Sequence, residues 1–283
     1  ASPSAYARDM ARRVLWTHDP LSVRQAVGKW LAGLDPAADS RERLRLEALR
    51  LLQAIDRGSA ADVDQNLLAE VLASPDARAR AAAARIVVDW ADRLDDPLNL
   101  LAGTVSDEAM IVRLEGVRAL AAIGGRRAAE LVFQAVDLPR DDPLDYAVWL
   151  AARELRDDWL PALREGSFAL DGHPGRLLYA INATAASEAI PAVIRLLESN
   201  RLQLADRQAA IDCVARLGKP QELRLAVAVA VDPATPPGRA AVLLGHLLDA
   251  HDKRRVTPAG PLEGLARLVS VPQSQLARRA TEA

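Results

Sequence analysis

The chain has 283 residues, half of them apolar but only 4% aromatic, with 36 Lys and Arg against 38 Asp and Glu. A formal charge of −2 gives no global attraction to nucleic acid or to an anionic membrane. The single cysteine, Cys213, excludes an intrachain disulfide, and no C-x-x-C-H sequence is present for covalent haem attachment.

Arg8, Arg45, Arg80, Arg113, Arg176, Arg207 and Arg239 each stand near the start of an Ala/Leu-rich stretch. Successive members are 37, 35, 33, 63, 31 and 32 residues apart, and the interval of 63 is two periods with Asp145 in the vacant place. A fixed period of about 30–47 residues marks an array of helical hairpins. Eight helix pairs are predicted, beginning near residues 4, 38, 75, 107, 141, 173, 203 and 236. The fold class is therefore all-α, an α-α superhelix of about eight antiparallel pairs. Residues 1–270 are expected to form a single solenoid domain, with 271–283 a tail or linker. Stacked at ~8–10 Å per pair, the array predicts an elongated body with an extended concave face.

The first long helix to repeat clearly is Arg45-Leu-Glu-Ala-Leu-Arg-Leu-Leu-Gln-Ala-Ile55, seven of whose eleven residues recur in Arg113-Leu-Glu-Gly-Val-Arg-Ala-Leu-Ala-Ala-Ile123. Leu46, Leu49, Leu52 and Ile55 fall on one helical face. Ala48, Ala83 and Gly116 occupy one equivalent position, where a small side chain lets neighbouring helices approach. Ser74-Pro-Asp76 precedes the Arg80 helix, Asp95-Asp-Pro97 a short helix over 98–105, and Ser106-Asp107 the Arg113 helix, which Gly124-Gly125 closes. Later boundaries fall at Asp141-Asp-Pro143, Asp171-Gly-His-Pro174, Gly218-Lys-Pro220 and Asp232-Pro233. Leu225-Ala-Val-Ala-Val-Ala-Val231 alternates like a strand, yet its alanines and its place as the second half of a repeat predict helix. It is also the longest strongly apolar run, far short of the ~20 residues that span a bilayer.

The ladder arginines have two readings, as structural pairs with carboxylates such as Glu47, Glu115 and Asp212 or as a polyanion track. The charge balance and the repeat consensus favour the structural one. Cys213 reads as a buried small hydrophobe. His18, His173, His246 and His251 are scattered, and no metal site is expected; no P-loop, G-x-G-x-x-G or G-x-S-x-G occurs. Asp95-Asp96, Asp141-Asp142 and Asp157-Asp158 precede helices, where acids favour the N-terminal N–H groups. The basic residues Lys253, Arg254, Arg255, Arg267, Arg278 and Arg279 read as a capping repeat or linker. The candidate interaction patch lies where the ladder breaks: Asp145, Tyr146, Trp149, Arg153 and Trp159. Tyr146, Trp149 and Arg153 share a face, and Arg153 over Trp149 predicts a cation–π contact. The competing reading is packing at a bend, beneath the 168–174 loop.

The Arg/Ala pattern of the first helices resembles the HEAT repeat, including the HEAT-like units of phycobilisome lyases. A closer likeness runs from Trp30-Leu-Ala-Gly-Leu34 through Val88-Asp-Trp90, Asp96-Pro-Leu98 and Asp145-Tyr-Ala-Val-Trp-Leu150. It continues in Trp159-Leu-Pro-Ala-Leu163, Phe168-Ala-Leu-Asp-Gly172, Ile190-Pro-Ala-Val193 and Leu217-Gly-Lys-Pro-Gln-Glu-Leu223. These stretches, over roughly residues 25–230, resemble the HEAT segment of the large dehydrogenase-like, haem-c-binding proteins of planctomycetes. There the solenoid stands between a propeller and a cytochrome domain. The resemblance implies an extracytoplasmic, non-enzymatic interaction or spacer module with no cofactor of its own. Its partners would be protein or neighbouring domains, not nucleic acid or the membrane interior. The alternative is a HEAT-like enzyme, such as a bilin lyase or a DNA glycosylase.

Overall fold

Aspartate side chains start many of the helices. Asp19, Asp64, Asp76, Asp96 and Asp141 each accept a backbone N–H two or three residues on, at 2.8–3.0 Å, satisfying donors that a helix N-terminus leaves open. The computed structural model describes residues 4–55, 63–168, 172–199, 201–262 and 264–265. Among them are fifteen α-helices, four short 3-10 turns and no strand.

The chain divides into two compact units, Ala1–Leu155 and Arg156–Ala283. In the first, α1 (Ala5–Leu15) and α2 (Pro20–Ala32) are followed by α3 (Arg41–Ile55) and α4 (Gln65–Leu72). Then come α5 (Ala77–Asp89), α6 (Pro97–Ala102), α7 (Met110–Ile123), α8 (Arg126–Gln134) and α9 (Asp142–Glu154). The alternate helices α3, α5, α7 and α9 pack side by side in sequence order, while α4, α6 and α8 pack on the helices that precede them. The second unit holds α10 (Arg156–Glu165), α11 (Pro174–Thr184), α12 (Ile190–Glu198), α13 (Leu204–Leu217), α14 (Pro220–Val231) and α15 (Pro237–Arg254). Here α11, α13 and α15 form the sequential row, with α12 against α13 and α14 against α13 and α15.

The helix pairs begin close to the predicted positions, and α15 starts the eighth. The predicted tail 271–283, which holds Arg278 and Arg279, lies outside the described residues, as does Arg267. Leu46, Leu49, Leu52 and Ile55 are all buried. In α14 the buried residues are Leu223, Ala226, Val227 and Ala230, a stripe of period 3.6 hidden inside the alternating sequence. Ala48, Ala83 and Gly116 are buried as expected. A Cβ built on Gly116 would lie 2.7 Å from that of Thr104, so α7 meets the turn at Thr104–Ser106 at a distance only glycine allows. Gly124, at φ 82, ends α7 in the left-handed region.

Some boundaries differ from the sequence reading. The second helix of the third pair is shorter, α6 ending at Ala102 before that 3-10 turn. Asp107 lies ahead of the Ala109 cap of α7 and instead receives Arg80. Asp157 and Asp158, expected to cap α10, sit inside its first turn, and Pro161 lies within the helix.

Most of the ladder arginines tie one repeat to the next, while Arg45 stays within its own pair. Arg8 reaches Glu47 at 3.2 Å, Arg80 reaches Asp107 through two bonds of 2.8 Å, and Arg239 reaches both oxygens of Asp212 at 2.7 and 2.8 Å. Arg113 donates to the Pro139 carbonyl at 2.9 Å and Arg207 to that of Leu197 at 3.3 Å. Arg45 pairs with Glu42 at 3.1 Å and with Glu70.

Candidate functional site

Helix α9 buries Leu144, Ala147, Val148, Ala151 and Ala152, the i, i+3, i+4, i+7, i+8 pattern of a single apolar face. The opposite face therefore points outward, and it carries Asp145, Tyr146, Trp149, Leu150 and Arg153. Tyr146 is 61% exposed and Trp149 37%. Their rings stack, with centroids 5.7 Å apart and planes inclined by 23°. One turn on, the Arg153 guanidinium carbon lies 4.8 Å from the centre of the Trp149 ring. Such a cation–π contact is worth ~0.5–1 kcal/mol at an exposed site. The three side chains form a flat, pre-ordered surface with an apolar face and a cationic end.

At Asp145 the polarity of the ladder is inverted. Arg140, in the loop before α9, donates to its carboxylate at 2.9 Å and also to the carbonyls of Ala135, Val136 and Leu138. A guanidinium thus still fastens this repeat, but it comes from the loop. Trp159 is placed elsewhere: it lies in α10 of the second unit, fully buried, 6.3 Å from the ring of Phe168 and tilted by 34°. Tyr146, Trp149 and Arg153 come together as their spacing predicts, whereas Trp159 packs in the core of the other unit.

The first unit has two further features, the first of which was not singled out from sequence. A cleft of about 570 Å³ opens between α1, α2 and α3, walled by Leu15, Val23, Val27, Trp30 and Leu51 and edged by Arg8, Arg12 and Glu47. Exposed Tyr6, Val14, Trp16 and Leu21 belong to the same helix pair. The clue in the sequence was the apolar residues Met10, Val14 and Leu15 of α1 and Val23, Val27 and Trp30 of α2, spaced to share helical faces. The second feature is the pair of buried glutamates expected to receive ladder arginines; Glu47 does receive Arg8, whereas Glu115 takes two arginines from outside the ladder. Glu47 collects Arg8, Arg12 and Arg50 at 3.1–3.4 Å, and Glu115 collects Arg85 at 2.8 Å and Arg118 at 3.5 Å.

The remaining titratable groups are dispersed. Burial pushes the Cys213 thiol up to about 12, with Asp212 adding to that and Arg216 opposing it. Burial lowers His246, outweighing the nearby carboxylate of Asp212, 3.8 Å from Nε2. His251 contacts Asp252 at 3.1 Å. Among the described residues no group of three or more His, Cys, Asp or Glu comes together, and no helix is long and apolar enough to cross a membrane. Within the basic C-terminal stretch, Arg254 donates to the Gly218 carbonyl through two 3.1 Å bonds, and Lys253 pairs with Asp249 at 2.9 Å.

No family model matches the chain, and no curated protein matches it. Among solved structures, a crystal structure of an engineered protein from the Northeast Structural Genomics Consortium aligns over 94% of this chain and 78% of its own. The identity is 15% and the TM-score 0.33, a likeness from which no function follows.

Proposed function

We propose that this chain is a HEAT-like α-solenoid acting as a non-enzymatic interaction and spacer module. The setting we infer is a larger, extracytoplasmic, haem-associated dehydrogenase-like protein, where neighbouring domains or a protein partner dock on it. The observation that supports docking most directly is the Tyr146–Trp149–Arg153 surface on α9. Exposed, stacked aromatics with an adjacent guanidinium are the residue types that dominate protein–protein hot spots, and here they are held in place before any partner arrives. The helix needs none of them for its core, which its opposite face supplies. The assignment to the haem-associated family rests on the sequence likeness over residues 25–230.

Two tests bear on this reading. The gene around this segment should encode a propeller upstream and a C-x-x-C-H domain downstream; flanking sequence with neither removes the proposed setting. Incubating the purified chain with alkylated DNA, or with bilin and a bilin-accepting protein, should give no turnover. Base release or bilin transfer would replace the scaffold reading with an enzymatic one.

A further inference from the structure

Most ladder arginines are sunk in contacts between helices, whereas a second set of arginines is paired to carboxylates at one end yet still open to solvent. Five residues beyond each of the first four rungs stand Arg13, Arg50, Arg85 and Arg118. This register puts them at equivalent places on α1, α3, α5 and α7, which lie next to one another in order. Their side chains project: Arg13 is 68% exposed, Arg85 59% and Arg118 65%, with Arg50 less so at 40%. The row ends at α9, where the equivalent residue is Leu150.

Beneath the row are Glu47 and Glu115, whose side chains are only 12% and 6% exposed. Each takes arginines from two adjacent repeats, so the carboxylates face inward while the guanidiniums reach solvent. Arg85 and Arg118 share the same Glu115 oxygen, which fixes them as neighbours across α5 and α7. Asp9 pairs with Arg12 and Arg13, and Asp89 accepts from Gln53. Counting Arg8 and Arg12, which grip Glu47 from α1, six guanidiniums face four carboxylates, two of them sunk below the surface. The surplus is local, since the whole chain carries a charge of −2.

We propose that this row binds an acidic, extended peptide segment, and that the cleft beside Trp30 seats an apolar side chain at one end of it. Three properties select this occupant. Packed helices repeat at ~8–10 Å, and a polyproline II segment presents every third side chain on one side at about 9.3 Å. Glutamates at every third position therefore meet one guanidinium per repeat. Arginine favours carboxylates through its forked donors, and Arg50, Arg85 and Arg118 are already oriented by the buried glutamates behind them. The apolar cleft adjoins the row, because Glu47, which lines that cleft, pairs with Arg50 at 3.4 Å. An oligonucleotide backbone carries charge at a much shorter interval, ~3.4 Å per nucleotide along a B-form strand, and has no group for the cleft.

The test uses the full chain and a fluorescent peptide of repeated Glu-Pro-Pro triplets ending in phenylalanine, followed by anisotropy at low salt. Binding is expected, weakening as salt screens the contacts, and the Gln-Pro-Pro peptide should not bind. Arg50→Gln, Arg85→Gln and Arg118→Gln should each weaken binding about 2–5-fold, and the triple variant at least about tenfold, as exposed ion pairs of ~0.5–1 kcal/mol imply. Trp30→Ala should weaken the peptide only when its phenylalanine is present. Trp149→Ala should leave binding unchanged, which separates this site from the α9 surface. Equal binding of the two peptides to the wild-type chain overturns the proposal without recourse to any variant. So does a folded triple variant that binds normally. Tighter binding of oligothymidylate, or of phosphatidylserine vesicles, through the same arginines would overturn the peptide assignment in favour of that ligand.

Discussion

Arg80 holds Asp107 with two parallel N–H···O bonds, both 2.8 Å, joining α5 to the segment that leads into α7. Burial alone would raise the Asp107 carboxyl. The Arg80 bonds and the Ala109 N–H outweigh it and hold the group below its ordinary range. A carboxyl depressed in the folded state contributes stability that is complete above its unfolded value, ~3.9, and is lost as pH falls through the folded value. Asp107→Asn should therefore cost about 2 kcal/mol at neutral pH and leave a shallower acid limb. Urea denaturation from neutral pH to below 3.9 checks this; parallel acid limbs in both proteins would show that the pair carries no such linkage.

A second contact sets the spacing between helices. Gly116 of α7 lies against Thr104, where an added Cβ would come within 2.7 Å of the threonine Cβ. Gly116→Ala should gain up to about 1 kcal/mol of helix propensity. Overpacking should cost ~1–3 kcal/mol, leaving a net loss and a lower thermal midpoint. Gly28, inside α2, has nothing within 4 Å of its virtual Cβ, so Gly28→Ala should be stabilising by ~0.5–1 kcal/mol. Opposite signs for the two substitutions are the expected outcome of thermal denaturation.

These two sites show what the sequence could and could not carry. The equivalence of Ala48, Ala83 and Gly116 was visible from the 68-residue self-match, because a repeat forces the same packing onto the same register. The alternation in α14 was resolved by its place in the array, which outranks local propensity. At Asp145 the missing arginine was legible, but not that Arg140 supplies the guanidinium from the preceding loop, since loop paths follow no period. Trp159 was grouped with Tyr146 and Trp149 by proximity along the chain. Only the start of α10 at Arg156 turns its side chain into a core instead. The arginines five residues beyond the ladder were equally periodic in sequence. Exposure, which distinguishes them from the rungs, depends on which face of each first helix its neighbours cover.

Cys213 gives a chemical readout of the second unit. Its thiol is buried, with its ionisation pushed up to about 12, and the thiolate is the reactive form. Labelling by an aromatic disulfide at pH ~8, below the ordinary thiol value of ~8.5, should be very slow in native protein and fast in denaturant. A thiol raised in the folded state contributes stability that is complete below the unfolded value and lost as pH rises through the folded one. Cys213→Ala should remove that component of alkaline destabilisation. Rapid stoichiometric labelling of the native chain would contradict the burial.

The sharpest separation of surface from core compares two tryptophans ten residues apart. Trp149 stacks on Tyr146 and beneath Arg153 at the surface, contacts worth ~0.5–1 kcal/mol each. Trp149→Ala and Tyr146→Ala should therefore lower the thermal midpoint only slightly and leave helical content intact. Trp159 is wholly buried against Phe168, and Trp159→Ala should cost about 3–5 kcal/mol through the cavity it leaves. Circular dichroism melts of the three variants decide the point. A loss for Trp149→Ala as large as for Trp159→Ala would make the α9 aromatics part of the packing and remove the support they give to a docking surface. A small loss leaves them available for a partner to cover.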